Sequence, residues 1–200
     1  MVEPRIILAS ASPRRAQLLT QLGVAHEVSA ADIDERRGAG EPIEACVLRL
    51  AEQKALQVRA SRPLADLPIL GADTAVVLNE QMLGKPRDAQ HGIAMLEQLA
   101  GRTHQVLSAV ALLDRRGVRS CLSRSRVRLR PLSRAEAEQY WRSGEPCDKA
   151  GGYAIQGVGA VFVEELQGSY SGVMGLPLFE TALLLSEAGV PIGPFGRVGD

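Results

Sequence analysis

Two long β-like segments follow each other at the centre of the chain, at residues 103–113 and 118–129. The tetrapeptide DRRG joins them and predicts a β-hairpin, because so short a turn can connect only antiparallel strands. On both sides of the hairpin, short apolar runs alternate with helical patterns, which is typical of α/β proteins. We therefore expect an α/β fold whose β-sheet is mixed.

The remaining elements follow from hydrophobic periodicity and turn signals. They are strands at residues 5–9, 26–29, 67–78 and 161–166, and helices at residues 13–22, 42–60, 88–100, after the cap at 133, and at 177–187. Residues 30–41 are polar and contain glycine, so we expect a surface loop there. No linker or repeat is visible, which predicts one domain over residues 1–200 with a loosely ordered tail from about residue 190.

Composition restricts the classes of partner. Of the 200 residues, 46% are hydrophobic, and 23 basic side chains balance 23 acidic ones, so no net charge attracts nucleic acid or acidic membranes. Three widely spaced cysteines without a CxxC pair favour reduced thiols over disulfides or a zinc site. Neither a signal-peptide pattern nor an apolar run of about 18 residues is present. We expect a cytoplasmic protein with no membrane partner.

The stretch SASPRR places positive charge at the start of a predicted helix. Ser12 is suited to an N-cap and Pro13 to a first helical position, so Arg14 and Arg15 fall in the first turn. The helix dipole disfavours cations there. Either both arginines turn toward solvent or surface carboxylates, or they form a phosphate site together with the helix N–H groups.

Two charged side chains occupy positions where an apolar residue is expected. Lys54 lies on the apolar stripe of the 42–60 helix, about 20° from Ile43, so it must snorkel, pair with a carboxylate or face a cleft. Asp73 interrupts the apolar strand ILGADTAVVL and needs a partner or a metal ion. Thr74 adds a hydroxyl beside it, and Lys85 follows one hairpin turn later. A structural Asp–Lys pair and an active site both explain this pattern.

The segment EPCDKAGGYAIQG mixes charges with glycines, a composition that suits either a plain loop or close approach to a ligand. Gln156 lies near its end and carries an amide that both donates and accepts hydrogen bonds. In SRSRVRLR, the arginines alternate with other residues, which predicts a solvated strand face, with a dimer rim or a nucleic-acid stripe as alternatives.

Taken together, seven stretches of the chain resemble the Maf family of nucleoside triphosphate pyrophosphatases. They occur in the family's order from residue 7 to about residue 185: LASASPRRAQLL, VLRLAEQKA, GADTAVVL, LGKPRDA, LAGRTHQV, DKAGGYAIQG and GVMGLPL. The resemblance implies an elongated mixed β-sheet flanked by helices, with two lobes around a deep cleft, as in inosine triphosphatases. It also implies cytoplasmic hydrolysis of a nucleoside triphosphate to the monophosphate and pyrophosphate, with a divalent cation, Mg²⁺ or Mn²⁺.

The candidate residues suit this hydrolysis of a phosphoric anhydride. Asp73 is the expected general base, a role that the resemblance also implies, and Lys54 and Lys85 are the other catalytic residues. Glu35 and Asp73 are expected to hold the metal ion. The substrate-binding residues are expected to be Ser10, Arg14, Arg15, Thr74 and Gln156.

The substrate branch is indicated by three short motifs. SPRR, ADT and AIQG are similar to the branch that acts on dTTP and UTP, whereas the 7-methyl-GTP branch tends to read SPWRR, SDQ and SEG. Arg14, Thr74 and Gln156 stand where the branches differ, so we assign them to specificity. Modified pyrimidine nucleotides are further candidate substrates.

Other functions stay open at this point. One is a nucleotide-binding regulator of septum formation and division arrest, without significant turnover. Another is a pyrophosphatase for a purine nucleotide or 7-methyl-GTP. Nucleic-acid binding through the arginine strand fits poorly with the zero net charge. A homodimer is left open.

Overall fold

The secondary structure alternates strands and helices in a computed structural model that describes Glu3, residues 5–63 and residues 66–196. The strands are β1 Ile6–Leu8, β2 His26–Val28, β3 Ile69–Leu78, β4 Gln81–Leu83, β5 Thr103–Asp114, β6 Gly117–Leu129 and β7 Val163–Gln167. The helices are α1 Pro13–Gln21, α2 Ile43–Ser61, α3 Ala89–Leu99, α4 Arg134–Arg142, α5 Tyr170–Met174 and α6 Leu178–Glu187. The strands form one sheet in the order β2-β1-β3-β5-β6-β7, with β4 paired to β3.

Strand direction follows from how the strands are connected. β1 runs parallel to β2 and to β3, and helices α1 and α2 supply the crossovers between them. β3 pairs antiparallel with β4 through a two-residue turn, and β6 pairs antiparallel with β7. Asn79 and Glu80 both have positive φ in that turn, at 49° and 63°, as the tight hairpin requires. The predicted α/β fold with a mixed sheet is confirmed.

The chain divides into two compact units. The first contains the described residues up to Asp73, Ser108–Ser123 and the described residues from Gly175 onward. The second contains Thr74–Leu107 and Arg124–Met174. Strands β3, β5 and β6 each contribute residues to both units. The cleft that the resemblance implies, and the single domain over residues 1–200, stay predictions.

The first unit is built around the apolar run of β1. Ile7 is fully buried and belongs to a cluster with Val58 of α2 and Ile69 of β3. Gly71 of β3 lies so close to α2 that a Cβ atom there would overlap the Ala51 carbonyl and lie 3.1 Å from the Ala55 nitrogen. The missing side chain therefore sets the distance between this strand and this helix.

In the second unit, α3 and α4 pack against the C-terminal halves of β3 and β6. Leu96, Leu99 and Leu129 are fully buried in its core. Ser133 begins α4 with the predicted capping box, because its side chain accepts from the Glu136 N–H and the Glu136 side chain accepts from the Ser133 N–H. The predicted helix start is therefore confirmed.

Three short elements differ from the sequence prediction. β4 and α5 were not predicted, because three and five residues are too few to show a period. The strand predicted at 161–166 begins at Val163, since residues 158–162 form 3₁₀ turns instead. Of the predicted loose tail, residues 197–200 lie outside the described residues, whereas Ile192 is buried.

None of the helices in the described part of the chain is both long and apolar enough to cross a bilayer.

Replacing Gly71 with alanine is expected to lower the free energy of unfolding by roughly 1–3 kcal/mol, because the new methyl group would press on the rigid backbone of α2. Urea unfolding followed by circular dichroism measures this change. Gly84→Ala is the matched control, since a Cβ atom at Gly84 meets nothing within 4 Å. Equal stability of the two variants would contradict the close packing of β3 on α2.

Candidate active site

A lysine bridges two carboxylates in the first unit. Lys54 is only 7% exposed, and its Nζ donates to Asp73 Oδ1 at 2.6 Å. The same ammonium lies 2.7 Å from Glu35 Oε1. Of the three outcomes that the sequence allowed for Lys54, the structure shows pairing with carboxylates. The expectation that Asp73 needs a partner is also confirmed.

The glycine contact explains why Lys54 and Asp73 meet. Gly71 and Asp73 are two residues apart on β3 and therefore share one face of the strand. That face lies against α2 at Ala51 and Ala55, and Lys54 precedes Ala55 by one residue. A bulkier residue at position 71 would push the strand away from the helix and separate the ammonium from its carboxylate.

Opposing effects act on the pKa of Asp73. The side chain is 14% exposed, and burial raises its pKa above the usual range for an aspartate. The charge and hydrogen bond of Lys54 lower the pKa, and the charge of Arg15 lowers it further. The nearby Glu35 charge raises it again. The net direction is upward, so this carboxylate holds a proton more readily than an exposed one.

Arg15 is held in place beside this pair. Its Nε donates to the Gly175 carbonyl at 2.8 Å, and its Nη1 donates to Ser10 Oγ at 3.0 Å. Burial lowers the pKa of Arg15, while the charges of Asp73 and Glu35 raise it. The arginine therefore does not turn away to solvent. Its guanidinium belongs to the same charged cluster as Lys54.

Ser10 links the β1–α1 turn to Arg15. Its Oγ accepts from the Ser12 N–H at 3.2 Å as well as from Arg15, and the residue is 6% exposed. A hydroxyl has two acceptor positions and one proton, so these contacts leave Ser10 suited to act as a donor.

No side-chain cap or acidic residue of the first turn offsets the positive end of the α1 helix dipole. Ser12 occupies the predicted N-cap position with extended backbone, but its side chain makes no capping hydrogen bond, and the first turn contains no acidic residue. Arg14 adds a second cation in that turn and lowers the pKa of Arg15 through repulsion. Arg14, Arg15 and the helix start together form a region suited to an anion.

The second unit contains the other candidate residues. Lys85 is exposed just after β4, Thr74 is half-buried on β3, and Gln156 is exposed on a loop after α4. Their association with the cluster of the first unit stays a prediction. Two residues of this unit that the sequence did not single out are Tyr140 and Glu145, which hold the loop that carries Gln156.

The arginine strand has the character expected of a solvated face. Along β6 the arginines at 124, 126 and 128 are exposed, and the residues between them are buried. Arg128 pairs with Glu164 at 2.7 Å, and Arg130 pairs with Glu136 at 2.7 Å. Local carboxylates therefore offset part of the positive charge of this strand. This agrees with the argument from zero net charge that nucleic-acid binding is not favoured.

Comparison with known proteins identifies the family. The family model described as "Maf-like protein" matches residues 5–188. The chain belongs to the Maf family. The matched region includes all of the second unit, most of the first, and every candidate site residue from Ser10 to Gln156.

Relatives in this family are similar over nearly their whole length. The dTTP/UTP pyrophosphatase of Alkalilimnicola ehrlichii is 55% identical, over 92% of this chain and 93% of that protein. The proteins of the same name from Saccharophagus degradans and Aromatoleum aromaticum are 52% and 50% identical, over 94% and 96% of this chain and 90% and 98% of theirs. Among solved structures, a nucleoside-triphosphatase (dITP/XTP pyrophosphatase) of Mycobacterium abscessus matches 62% of this chain and 73% of its own at 19% identity, with a TM-score of 0.38.

Glu35 and Asp73 are the expected ligands of the divalent cation that the family resemblance implies. Both lie beside Lys54, and Glu35 is 57% exposed. Across residues 5–63 and 66–196, no group of three His, Cys, Asp or Glu side chains is arranged to hold a metal ion. Mg²⁺ is commonly bound through one or two carboxylates, with waters and substrate phosphates as its other ligands. The two carboxylates offer the kind of oxygen ligand that this mode of binding uses.

Replacing Lys54 with methionine is expected to raise the pKa of Asp73 further, because the nearest positive charge and a hydrogen bond to the carboxylate are lost. The carboxyl carbon of Asp73, followed by NMR during a pH titration, measures the change. Because the pKa of Asp73 in the folded protein lies above the usual 3.8, the free energy of unfolding falls as the pH rises from 3.8 to the pKa of the folded protein. Lys54→Met raises that upper limit and therefore widens the pH range over which stability falls. Arg115→Met, which removes an exposed cation paired with Asp66, is the control. A titration that is unchanged in Lys54→Met would contradict the pairing.

Proposed function

We propose that this chain hydrolyses dTTP and UTP to the monophosphate and pyrophosphate. The observation that carries the proposal is the buried carboxylate of Asp73, whose pKa is raised and which touches Lys54 beside Arg15. A carboxylate poised to take a proton next to fixed cations suits hydrolysis of a phosphoric anhydride. Relatives at 50–55% identity that carry the name dTTP/UTP pyrophosphatase support the substrate.

Positive charge is the first requirement of this reaction. When water attacks the α-phosphorus and pyrophosphate leaves, negative charge gathers on the phosphate oxygens. Arg14, Arg15 and the start of α1 bind the phosphates in this proposal, and Ser10 donates a neutral hydrogen bond. Lys54 and Lys85 stabilise the charge that develops during the attack.

Asp73 is the general base in this proposal. Its Oδ1 accepts from Lys54, so its Oδ2 is the atom that takes a proton from the attacking water. Lys54 has two effects on this step: its hydrogen bond orients the carboxylate, and its charge opposes the rise in pKa that burial produces. Burial thus makes the carboxylate more basic, and Lys54 limits that change.

A divalent cation, Mg²⁺ or Mn²⁺, is part of the proposal, with Glu35 and Asp73 as its protein ligands. When bound, such an ion neutralises phosphate charge and makes water more acidic. Glu35 is exposed and bound to Lys54 on one oxygen, so it can turn toward an ion without leaving a buried charge unpaired.

Selection of the base rests on Arg14, Thr74 and Gln156. A uracil or thymine ring presents carbonyl acceptors and one N–H donor, and the amide of Gln156 matches that edge. A cytosine ring presents the reverse pattern on that edge, an amino donor and an unprotonated nitrogen acceptor, so an amide held in one orientation matches uracil or thymine and not cytosine. The cytoplasmic location and a homodimer stay expectations alongside this assignment.

Release of pyrophosphate from a panel of nucleoside triphosphates tests the function directly, with Mg²⁺, with Mn²⁺ and with a chelator. We expect turnover of dTTP and UTP, little turnover of CTP and purine triphosphates, and loss of activity with the chelator. Asp73→Asn is expected to lower kcat by about 10²-fold or more, because the base and one carboxylate ligand of the metal ion are lost, and to leave nucleotide binding largely intact, because the cations proposed to bind the phosphates remain.

Near-normal turnover by Asp73→Asn would remove Asp73 as the base. Nucleotide binding without turnover by the wild type would instead favour a binding regulator. Preferred hydrolysis of 7-methyl-GTP or a purine nucleotide would overturn the proposed substrate, but it would still support the pyrophosphatase reaction.

Arg14→Ala is expected to raise the KM for UTP by about tenfold with little change in kcat, because the arginine contributes to binding of the triphosphate before the reaction. Steady-state kinetics of pyrophosphate release measure both constants. Arg115→Ala is the control, as an exposed cation of the same unit outside the cluster. Kinetics identical to the wild type would mean that Arg14 does not contact the phosphates.

A further inference from the structure

We propose that Glu145 and Tyr140 are positioning residues that fix the loop at residues 154–159, so that its exposed Gln156 can discriminate between pyrimidine bases. This inference rests on the proposed function, because it explains how the base-reading residue of that function is held. All the contacts that carry it lie within the second unit.

Glu145 binds the loop on the side that follows Gln156. Its Oε2 accepts from the Val158 N–H at 2.8 Å, and its Oε1 accepts from the Gly159 N–H at 2.9 Å. The carboxylate thus binds two successive backbone donors thirteen and fourteen residues away in sequence. Hydrogen bonds to a charged acceptor are stronger than those between neutral groups, so this attachment is firm.

Tyr140 binds the loop on the side that precedes Gln156. Its hydroxyl accepts from the Ala154 N–H at 3.0 Å and donates to Glu145 Oε1 at 2.7 Å. The ring is 4% exposed and packs edge-on against Phe162, with ring centres 4.9 Å apart. Because the ring is fixed by the core, the hydroxyl is a stable reference point for both the loop and the carboxylate.

Two glycines let the loop close around these side chains. Gly157 has φ of +114°, and a Cβ atom there would lie 2.8 Å from Glu145 Cδ. A Cβ atom at Gly159 would lie 2.6 Å from the Ala154 carbonyl oxygen and would overlap the Tyr140 hydroxyl. The glycines of AIQGVG therefore accommodate Glu145 and Tyr140, a role different from phosphate binding.

Gln156 is the exposed residue between these attachments. Its neighbours are fixed at residue 154 on one side and at residues 158 and 159 on the other. A side-chain amide selects one base over another only if its donor and acceptor are presented in a defined direction. Fixing the backbone in advance removes part of the ordering cost of binding, which is how a positioning residue contributes to selectivity.

The test compares Glu145→Gln and Tyr140→Phe with two matched controls. Glu138→Gln changes a carboxylate of α4 that pairs with Arg134, and Tyr170→Phe changes an exposed tyrosine. The readouts are the ratio of kcat/KM for UTP to that for CTP, and the ratio of the Kd values of the products UMP and CMP. Circular dichroism and thermal unfolding identify any variant that does not fold.

We expect both ratios to shift toward equality by roughly tenfold in Glu145→Gln and Tyr140→Phe, comparable to losing one hydrogen bond to a charged group, and to stay unchanged in the controls. Gly157→Ala provides a second route, since its methyl group would press on the Glu145 carboxylate and its φ of +114° disfavours any side chain, so both effects disturb the attachment of the loop. A double-mutant cycle with Gln156→Ala separates positioning from general stability: Glu145→Gln should cause no further loss of selectivity when Gln156 is absent.

Selectivity that is unchanged in folded Glu145→Gln and Tyr140→Phe would overturn the inference. Losses that simply add to that of Gln156→Ala would also overturn it. The two proposals fail in different ways: a wild type that does not hydrolyse UTP or dTTP contradicts the function, whereas the UMP and CMP binding ratios still decide the role of Glu145. A wild type that binds UMP and CMP equally overturns the positioning role.

Discussion

The contact on which the rest of the site depends is the approach of Gly71 to α2. It brings Asp73 within hydrogen-bond distance of Lys54, so a buried ammonium and a buried carboxylate can stabilise each other. Either charge alone would be costly at such low exposure, because a buried ion without a partner loses its hydration and gains nothing in return. The packing of β3 on α2 therefore depends on a residue that has no side chain. The chemistry proposed for the first unit depends on the same residue.

This arrangement also shifts the pKa of Asp73, the proposed general base. Burial raises the pKa of Asp73, and Lys54 and Arg15 oppose that rise. The exposed Glu35 acts in the same direction as burial, so movement of Glu35 toward a ligand changes the balance at Asp73. At the start of α1, Arg14 and Arg15 lie in the first turn, where the helix dipole disfavours cations and favours an anion. In the proposed function, that anion is the triphosphate of the substrate.

Much of the first unit could be predicted from the sequence, for identifiable reasons. Lys54 stood out because helical phase places it among apolar residues, and Asp73 because a strand of apolar residues surrounds it; the structure pairs the two. Tyr140 and Glu145 gave no such signal. A tyrosine on a helix and a glutamate in a charged loop are ordinary in sequence, and their importance lies in contacts with residues 154, 158 and 159. Periodicity describes local structure, whereas these hydrogen bonds depend on how distant segments pack.

Charge and hydrogen bonding organise different parts of the molecule. In the first unit, Lys54 and Asp73 form an ion pair, and the charge of Arg15 also acts on Asp73. In the second unit, the loop around Gln156 is attached through backbone N–H groups to one tyrosine and one carboxylate. Strand β3 joins the two sets covalently, because Asp73 is the last residue of its segment in the first unit and Thr74 begins the second. Substitutions in the loop should therefore alter which nucleobase is accepted without changing the pKa of Asp73. Substitutions around Lys54 should change the pKa of Asp73 without altering which nucleobase is accepted.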